Sequence, residues 1–154
     1  TTRFPSEESS LPVIPPPRSS YGFQKLACEY FARAARQQYG LPFTILRPFN
    51  CVGIGERRAR AALPVSSGGI SLALSHVVPD LVQKLAKGQD PLRLLGDGRQ
   101  RRHYTYAGDL ARGIRLACES EAAIDQDFNL STPHGHTVLD VAEAIWRRLR
   151  PGEA

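Results

Sequence analysis

The sequence predicts an α/β protein, because helical patterns and short apolar patterns follow one another along the chain. The first helix begins at Ser19 or Ser20 and ends at Tyr39, where the next residue, Gly40, is a typical C-terminal stop. The run 43–46 that follows is apolar and β-branched, which is typical of a buried parallel strand. A helix followed by such a strand indicates a parallel α/β arrangement.

The alternation continues towards the C-terminus. Helical spacing of apolar residues predicts three further helices, and short apolar runs predict three further strands. The predicted helices are 77–86, 109–119 and 138–149, and the predicted strands are 92–95, 103–106 and 128–130. Asp109 precedes an apolar helical run and is interpreted as the N-cap of its helix.

Two segments lack a helical or strand period. Residues 1–18 contain the run Pro15-Pro16-Pro17, whose prolines cannot donate ladder hydrogen bonds, and are predicted to form a surface loop. Residues 51–75 contain several glycines and arginines, and most of this segment is interpreted as a loop that becomes ordered when a ligand binds.

Composition excludes several classes of protein. Of the 154 residues, 42% are hydrophobic and 23% charged, which fits neither a membrane-spanning nor a disordered chain. No secretory signal is recognisable, so the cytoplasm is the expected location and no membrane partner is expected. The net charge of +5 permits anionic ligands, but interspersed acids argue against nucleic acid. Three widely spaced cysteines indicate neither a disulfide framework nor a metal site.

Tyr21 and Lys25 are four positions apart, so the first predicted helix brings both side chains to one face. An ammonium group beside a phenol favours the phenolate, which suits the tyrosine to act as an acid or a base. The same pair also occurs on many exposed helices without any chemical role. The spacing alone leaves both interpretations open.

Three motifs carry a family resemblance. In chain order they are Tyr21-Gly22-Phe23-Gln24-Lys25, Leu46-Arg47-Pro48-Phe49-Asn50 and Gly96-Asp97-Gly98-Arg99-Gln100-Arg101-Arg102. Nearly the whole chain resembles the extended short-chain dehydrogenase/reductase family, and within it the NAD-dependent nucleotide-sugar epimerases and dehydratases. The resemblance implies a Rossmann-like doubly wound fold. Residues 19–50 would supply its catalytic helix and the following strand, and residues 51–154 mainly its substrate-binding portion with returning α/β elements.

Two features of that family are missing from the sequence. They are the glycine-rich phosphate turn of the dinucleotide-binding half and the Ser or Thr upstream of the tyrosine that completes the catalytic group in the family. Gly53-Ile54-Gly55 has only two of the required glycines and follows the tyrosine helix, so it is rejected as a dinucleotide turn. The resemblance therefore implies the C-terminal half of such an enzyme, with the N-terminal dinucleotide-binding half absent. If the chain is naturally this short, the alternative is a non-catalytic nucleotide-binding or interaction module.

The resemblance also implies catalytic roles. Tyr21 would be the acid/base, Lys25 would hold the cofactor ribose, and the main chain at Pro48 would abut the nicotinamide of NAD, with NADP as a possible substitute. The expected reaction removes a hydride from a sugar carbon while the tyrosine takes the hydroxyl proton, which gives a transient ketone. Epimerisation is the first expectation, and dehydration or reduction is the alternative.

Four positions match substrate-binding positions of the family, namely Asn50, His76, Leu95 and Arg102. The planar guanidinium of Arg102 suits the oxygens of a diphosphate. Asn50 follows the C-terminal end of a predicted strand, where ligands gather in α/β proteins. The alternatives are a turn that Asn50 itself satisfies and an ordinary helix start at His76, while Arg99 and Arg101 are interpreted as solvated neighbours.

Two remaining features concern metals and partners. The sequence His134-Gly135-His136 lacks a third ligand at a recognisable spacing, so no metal site is predicted. Members of the family commonly dimerise through helices that include the tyrosine helix, so the resemblance implies a homodimer. The apolar residues expected at its interface are Leu26, Ala27, Tyr30, Phe31 and Ala34. Packing of the same residues against the missing half is the alternative.

Overall fold

The computed structural model describes residues 6–13, 15–54, 65–67, 70–72, 76–94 and 96–152. The helices in these ranges are α1 (Ser20–Tyr39), α2 (Val77–Ala86), α3 (Ala107–Glu119) and α4 (Val138–Leu149), with 3-10 helices at Glu8–Val13 and Glu121–Ala123. The strands are β1 (Thr44–Pro48), β2 (Cys51–Val52), β3 (Val65–Ser67), β4 (Ile70–Leu72), β5 (Arg101–Arg102), β6 (Thr105–Tyr106), β7 (Gln126–Leu130) and β8 (His136–Thr137). The mixed architecture confirms the predicted fold class. No helix in the described ranges is long and apolar enough to cross a membrane.

The bounds of α1 follow from its caps. Ser19 Oγ accepts a hydrogen bond of 3.1 Å from the Gly22 amide, which satisfies one of the free donors of the first turn. Gly40 adopts the left-handed conformation, with φ of 69°, and its amide donates to the carbonyl of Arg36. The start and the end predicted for this helix are confirmed.

The other helices agree with the prediction except at one start. Both α2 and α4 have the predicted bounds. By contrast, α3 begins at Ala107, directly after β6. The interpretation of Asp109 as an N-cap is therefore wrong, because this residue lies inside the first turn, where its carboxylate pairs with Arg112 at 3.0 Å.

Two of the predicted strands differ from the structure, at residues 92–95 and 103–106. Residues 92–94 form no strand, because Leu92 and Leu94 pack against the buried cluster of Leu81, Val138 and Ala142 instead. Their apolar character reflects that contact rather than a strand. Of the strand predicted at 103–106, only β6 (Thr105–Tyr106) is present, and β5 (Arg101–Arg102) lies just before the predicted range. By contrast, β1 and β7 confirm the strands predicted at those places.

The segment predicted as a ligand-ordered loop contains regular structure. After β2, the strands β3 and β4 pair antiparallel, with Val65 opposite Leu72. Residues 55–64, 68–69 and 73–75 lie outside the described residues, and the response of this segment to a ligand stays a prediction.

One compact unit comprises Thr1–Phe49 and Gly108–Ser131. Its sheet consists of β1 and β7, which run parallel with Thr44 opposite Gln126 and Pro48 opposite Leu130. The pairing confirms that β1 is a parallel strand, but of its residues only Ile45 is buried. The buried apolar residues of the unit are Ile45, Leu110 and Ala123. Within the predicted surface loop, the 3-10 helix is tied to the sheet, because Glu8 Oε1 accepts a hydrogen bond of 2.7 Å from the Asn129 amide.

The second compact unit comprises Asn50–Ala107 and Thr132–Ala154. Its apolar cluster joins Leu81 of α2 to Val138 and Ala142 of α4, and Leu81 is only 1% exposed. The unit also contains three short ladders: β2 pairs parallel with β6, β3 pairs antiparallel with β4, and β5 pairs antiparallel with β8.

The start of α4 provides a test of pH dependence. Thr137 Oγ1 accepts a hydrogen bond of 3.0 Å from the Asp140 amide, and the Thr137 amide donates to Asp140 Oδ2 at 2.8 Å. The Thr137 amide, and after it the Thr137 side chain, hydrogen-bond to the carboxylate and hold the pKa of Asp140 below its ordinary value. The folded pKa is thus lower than the unfolded one, so the stabilisation is present above the unfolded value and is lost as the pH falls towards the folded value.

We therefore expect the stability advantage of the unaltered chain over Asp140→Asn to be present at pH 6 and to shrink between about pH 5 and pH 2. Urea unfolding of both proteins across that range measures it. The control Thr137→Ala removes the side-chain half of the cap at every pH and should cost about 1 kcal/mol near neutrality. A difference between the unaltered chain and Asp140→Asn that does not change with pH would contradict this account of the cap.

Candidate active site

The side chains of Tyr21 and Lys25 meet on the first two turns of α1. Lys25 Nζ lies 5.5 Å from the centroid of the Tyr21 ring, so the predicted proximity of the two side chains is present. Tyr21 is 69% exposed, which leaves its hydroxyl accessible to a ligand. A cation at this distance from an aromatic face is attracted to the ring, which holds the ammonium near the phenol. These two residues are called the tyrosine–lysine pair below.

The chain before α1 packs closely on the beginning of the helix. A Cβ atom on Gly22 would come within 2.7 Å of Pro17 Cβ, so only glycine allows this approach. Between the proline run and the helix lies a pocket of about 150 Å³. Its remaining lining residues are Leu11, Gly22, Lys25, Leu26 and Glu29. The lysine of the pair therefore borders a small cavity.

Arg47 on β1 forms the largest group of charged contacts in this unit. Its Nε and Nη2 atoms bind the two carboxylate oxygens of Glu29 at 2.8 and 2.6 Å, and Nη2 also contacts Asp127 Oδ2 at 2.5 Å. The side chains of Arg47 and Glu29 are only 18% and 14% exposed. Hydrogen bonds and charge from Glu29, and then from Asp127, raise the pKa of Arg47 above its ordinary value, although burial opposes the shift. This forked geometry is the strongest form of an arginine–carboxylate contact.

Further charged contacts join the same face of α1 to β7 and the turn before it. Arg33 Nη2 lies 3.4 Å from Asp127 Oδ2, and Arg36 Nη2 lies 2.8 Å from Asp125 Oδ2. With Glu29 they form a row at helical spacing, which we call the polar seam. It continues along α1 the face that carries the tyrosine–lysine pair. Because no described side chain of α1 is fully buried, the polar seam contributes much to the attachment of this helix.

The contacts of the polar seam were not predicted from the sequence. The signal available was Arg47, a charged residue inside a strand that is otherwise apolar. Its partners Glu29 and Asp127 are 18 and 80 positions away in the chain, so no local pattern identifies them.

Pro48 is the last residue of β1, at the carboxyl end of a parallel strand, as predicted. Asn50 has a left-handed backbone with φ of 39°, which asparagine tolerates better than most residues. Its Nδ2 donates to the His103 carbonyl at 3.1 Å, and its own carbonyl accepts from the Thr105 amide at 3.2 Å. Both contacts are with residues more than 50 positions away, so they are not the contacts of a local turn that Asn50 itself satisfies.

The arginines of the third motif differ in their contacts. Arg101 Nη2 donates to the Gly135 carbonyl at 2.8 Å, so this residue is more than a solvated neighbour. Arg102 is exposed, and its guanidinium makes one long hydrogen bond of 3.4 Å to the Arg101 carbonyl. Among the described residues no carboxylate forms an ion pair with Arg102, which leaves most of its donors for an anion.

Tyr104 follows closely after Arg102. Its hydroxyl is buried and has no hydrogen-bond partner. Burial raises the pKa of Tyr104, while the positive charge of Arg102 opposes the shift. Tyr104 also borders a larger cavity of about 570 Å³ between α2 and α4. Most of its lining is apolar, with side chains such as Val78, Val82 and Ile145.

The remaining predicted site residues have less defined surroundings. His76 is exposed and occupies the N-cap position of α2, which corresponds to its interpretation as a helix start. Leu95 lies outside the described residues. Among the described residues, no group of three or more His, Cys, Asp or Glu side chains is arranged to hold a metal ion.

Gly53 has a packing role. A Cβ atom there would lie 2.7 Å from Ala107 Cβ, so the glycine allows β2 and the start of α3 to approach closely. This contact accounts for the glycine without a phosphate ligand. The rejection of residues 53–55 as a dinucleotide turn is consistent with it, although Gly55 lies outside the described residues.

A family model described as the NAD dependent epimerase/dehydratase family matches residues 1–131. The chain belongs to this family. The tyrosine–lysine pair and the first two motifs fall inside the match, as does Arg102 of the third. The resemblance inferred from the three motifs is therefore confirmed.

The chain also resembles individual members of the epimerase/dehydratase family in sequence and in structure. The chain is 29% identical over 140 residues to an uncharacterized UDP-glucose epimerase of Bacillus subtilis, which covers 91% of this chain and 38% of that protein. The structure of UDP-glucose 4-epimerase from Thermotoga maritima with UDP-glucose matches with a TM-score of 0.74 and 26% identity, covering all of this chain and 43% of that one. The Thermus thermophilus UDP-glucose 4-epimerase in complex with NAD matches with a TM-score of 0.64 and 29% identity, covering 91% and 40%.

The matched portion of these family members is limited. The chain spans about two fifths of the length of the curated relatives it matches. Tyr21, Lys25 and Pro48 belong to the first compact unit, and Asn50, His76 and Arg102 belong to the second.

Proposed function

We propose that this chain supplies the catalytic helix and the substrate-binding portion of an NAD-dependent nucleotide-sugar epimerase. In this proposal a dinucleotide-binding half, which carries the glycine-rich phosphate turn, acts together with residues 1–154. The combination is called the complete enzyme below. The observation that carries the proposal is the tyrosine–lysine pair, with Lys25 Nζ 5.5 Å from the Tyr21 ring, in a member of the epimerase/dehydratase family.

The pair fits the ribose and nicotinamide end of a dinucleotide. The Tyr21 hydroxyl is accessible, and the Lys25 ammonium offers three donors to ribose hydroxyls. Pro48, which has no amide donor, ends β1 and presents only its ring and carbonyl there. Bound NAD supplies the hydride acceptor, and these residues hold it through its ribose and nicotinamide.

Tyr21 moves the proton in the proposed reaction. Its phenolate, stabilised by the Lys25 ammonium, accepts the proton of a sugar hydroxyl while the hydride leaves the same carbon, and a ketone results. Inversion follows when the hydride returns to the opposite face of the carbonyl and Tyr21 gives the proton back. No net oxidation occurs, and the product has the mass of the substrate.

Arg102 and Asn50 are proposed to hold the nucleotide diphosphate and the sugar. The guanidinium of Arg102 has no carboxylate partner among the described residues and suits two phosphate oxygens. Asn50 Nδ2 donates to the His103 carbonyl, which leaves its second N–H and its Oδ1 for a sugar hydroxyl. His76 and Leu95 are proposed to border the nucleotide, as the family positions imply.

Two alternatives are distinguished by the product. A nucleotide-sugar dehydratase would release water from the ketone, and a reductase would leave the cofactor oxidised. A non-catalytic nucleotide-binding module would bind the nucleotide diphosphate without turnover.

Incubating the complete enzyme with NAD and a panel of nucleotide sugars tests the proposal. We expect a product of unchanged mass in which one carbon of the sugar is inverted, as determined by NMR. A product lighter by one water would indicate a dehydratase. Binding without turnover would leave only the interaction module.

A homodimer is part of the proposal. On α1, Tyr30 and Phe31 are 64% and 73% exposed, so two large aromatic side chains are available for a second copy. We expect Phe31→Glu to weaken self-association by at least about tenfold, as measured by sedimentation equilibrium. Tyr39→Glu is the matched control, since Tyr39 is 74% exposed but lies at the end of the helix. Equal self-association of all three proteins would contradict an interface at Phe31.

We also propose a cytoplasmic location. The three cysteines are free and exposed, and exposed thiols persist in a reducing compartment.

A further inference from the structure

Lys25 and Glu29 are four residues apart on α1, a spacing at which an ammonium and a carboxylate normally pair. Both side chains border the pocket beside the proline run. Such a pair would draw Lys25 towards Glu29 and away from Tyr21, which lies one turn in the other direction. The sequence alone therefore predicts competition for the lysine.

The contacts of Glu29 resolve this competition. Both of its carboxylate oxygens are bound by Arg47, at 2.8 and 2.6 Å. Among the described residues, no ion pair joins Lys25 to any carboxylate, and Lys25 Nζ lies over the Tyr21 ring instead. Arg47 on β1 thus binds the carboxylate of Glu29, which would otherwise pair with Lys25 on the same helix.

We propose that Arg47 is a positioning residue, which binds Glu29 and so keeps the Lys25 ammonium available to Tyr21 and to the cofactor ribose. The inference rests on the proposed function, in which the tyrosine–lysine pair is catalytic. In this proposal the contact between Arg47 and Glu29 both attaches α1 to the sheet and keeps Lys25 free of an ion pair with Glu29.

Few charged groups lie near Lys25 among the described residues. On its own helix the facing polar groups are Tyr21 and Glu29. The other residues that line the pocket are uncharged: Leu11, the three prolines, Gly22 and Leu26. From the sheet, Arg47 and Asp127 face Glu29, and Asp127 is itself bound by Arg47 and Arg33. Glu29 is therefore the nearest competing anion on the same helix.

The reactivity of Lys25 measures its availability directly. The chain has three lysines, so acetylation by a dilute succinimidyl ester can be followed at each one by mass spectrometry. Lys87 is exposed and forms no ion pair with a described residue, which makes it the internal reference. Lys84 pairs with Asp80 at 2.7 Å and also donates to the Arg93 carbonyl at 3.0 Å, so it gives an upper limit on how far an ion pair lowers the labelling rate in this protein.

In Arg47→Met we expect the labelling of Lys25 relative to Lys87 to fall by a factor of about 1.4 to 2.3, because the released Glu29 pairs with the lysine. Adding Glu29→Gln to that variant should restore the ratio. Asp127→Asn is the matched control, since it removes a carboxylate from Arg47 without releasing Glu29, and it should leave the ratio unchanged. Circular dichroism of each variant verifies that α1 remains helical.

The direction of the change in Lys25 labelling distinguishes a positioning role of Arg47 from a purely structural one. If Arg47 only attached α1, its loss would loosen the helix and increase the labelling of Lys25, and Glu29→Gln would not reverse the change. Either result would overturn the inference. The single variant Glu29→Gln provides a test that does not depend on the folding of Arg47→Met, because it should leave Lys25 labelling unchanged. A twofold increase there would show that Glu29 already holds the lysine.

This experiment does not depend on catalysis. If the labelling pattern is as expected but Tyr21→Phe retains full turnover, the proposed function fails and the competition for Glu29 stands. If Tyr21→Phe is inactive but Arg47→Met leaves Lys25 labelling unchanged, the inference alone fails.

Discussion

Replacing Tyr21 by Phe is expected to lower kcat of the complete enzyme by a factor of about 10² to 10⁴, the usual contribution of a positioned acid/base. The substitution removes one oxygen from a side chain that is 69% exposed, so no core contact is lost and the fold should be unchanged. Nucleotide-sugar binding should be retained, because the phenol is needed for proton transfer. The measurement is kcat for sugar interconversion, together with the dissociation constant of the substrate from calorimetry.

Tyr30→Phe is the matched control for this prediction. Tyr30 lies on the same helix and is 64% exposed, but it is outside the tyrosine–lysine pair. Its substitution should change kcat by less than about twofold. Full activity of Tyr21→Phe would remove the acid/base assignment.

The second large effect is expected at Arg102. Arg102→Ala should weaken binding of the nucleotide diphosphate by about ten- to a hundredfold, which corresponds to the loss of about 1.5–3 kcal/mol from hydrogen bonds to a charged group. The reason is the exposed guanidinium, which has no carboxylate partner among the described residues and so keeps its donors for phosphate oxygens. NAD binding should change little.

Arg99→Ala is the control for Arg102→Ala. The main-chain amide of Arg99 donates a hydrogen bond of 3.0 Å to Asp97 Oδ1. Because alanine keeps this amide, the substitution should preserve the turn. Calorimetric titration of both variants with the nucleotide diphosphate alone compares them. If Arg102→Ala binds this ligand as tightly as the unaltered protein, the residue is a surface charge and the match to the family position is misleading.

The helices could be predicted closely because their ends are specified by local chemistry. Ser19 and Gly40 cap α1 through contacts with residues three or four positions away, and Thr137 caps α4 with Asp140. The error at Asp109 has the same origin. An acidic residue before an apolar run is typical of an N-cap, but it is equally favourable inside the first turn, where the helix dipole also stabilises it.

The strands and the polar seam depend on distant parts of the chain. Leu92 and Leu94 have the apolar character of a strand, but their packing partners on α2 and α4 determine their conformation. Similarly, nothing local indicates that Arg47 binds Glu29 and Asp127. Predicting these contacts requires knowledge of the pairing of β1 with β7, which the sequence pattern of either strand alone does not contain.

The candidate site could be predicted in part. The spacing of Tyr21 and Lys25 determines their proximity, because both belong to one helix. The hydrogen bond from Asn50 Nδ2 to the His103 carbonyl could not be predicted from its motif, because the two residues are 53 positions apart. The roles of Asn50, His76, Leu95 and Arg102 in binding substrate remain predictions.

The central claim is that Tyr21 exchanges a proton with the sugar hydroxyl while the hydride leaves and returns at the same carbon. The most direct test uses a nucleotide sugar with deuterium at the carbon to be inverted, incubated with the complete enzyme and NAD and followed by NMR and mass spectrometry. We predict an inverted product that retains the deuterium at that carbon with unchanged mass, and no turnover in Tyr21→Phe. Loss of the deuterium to solvent, its transfer to another carbon with loss of water, or the same product from Tyr21→Phe would contradict the account.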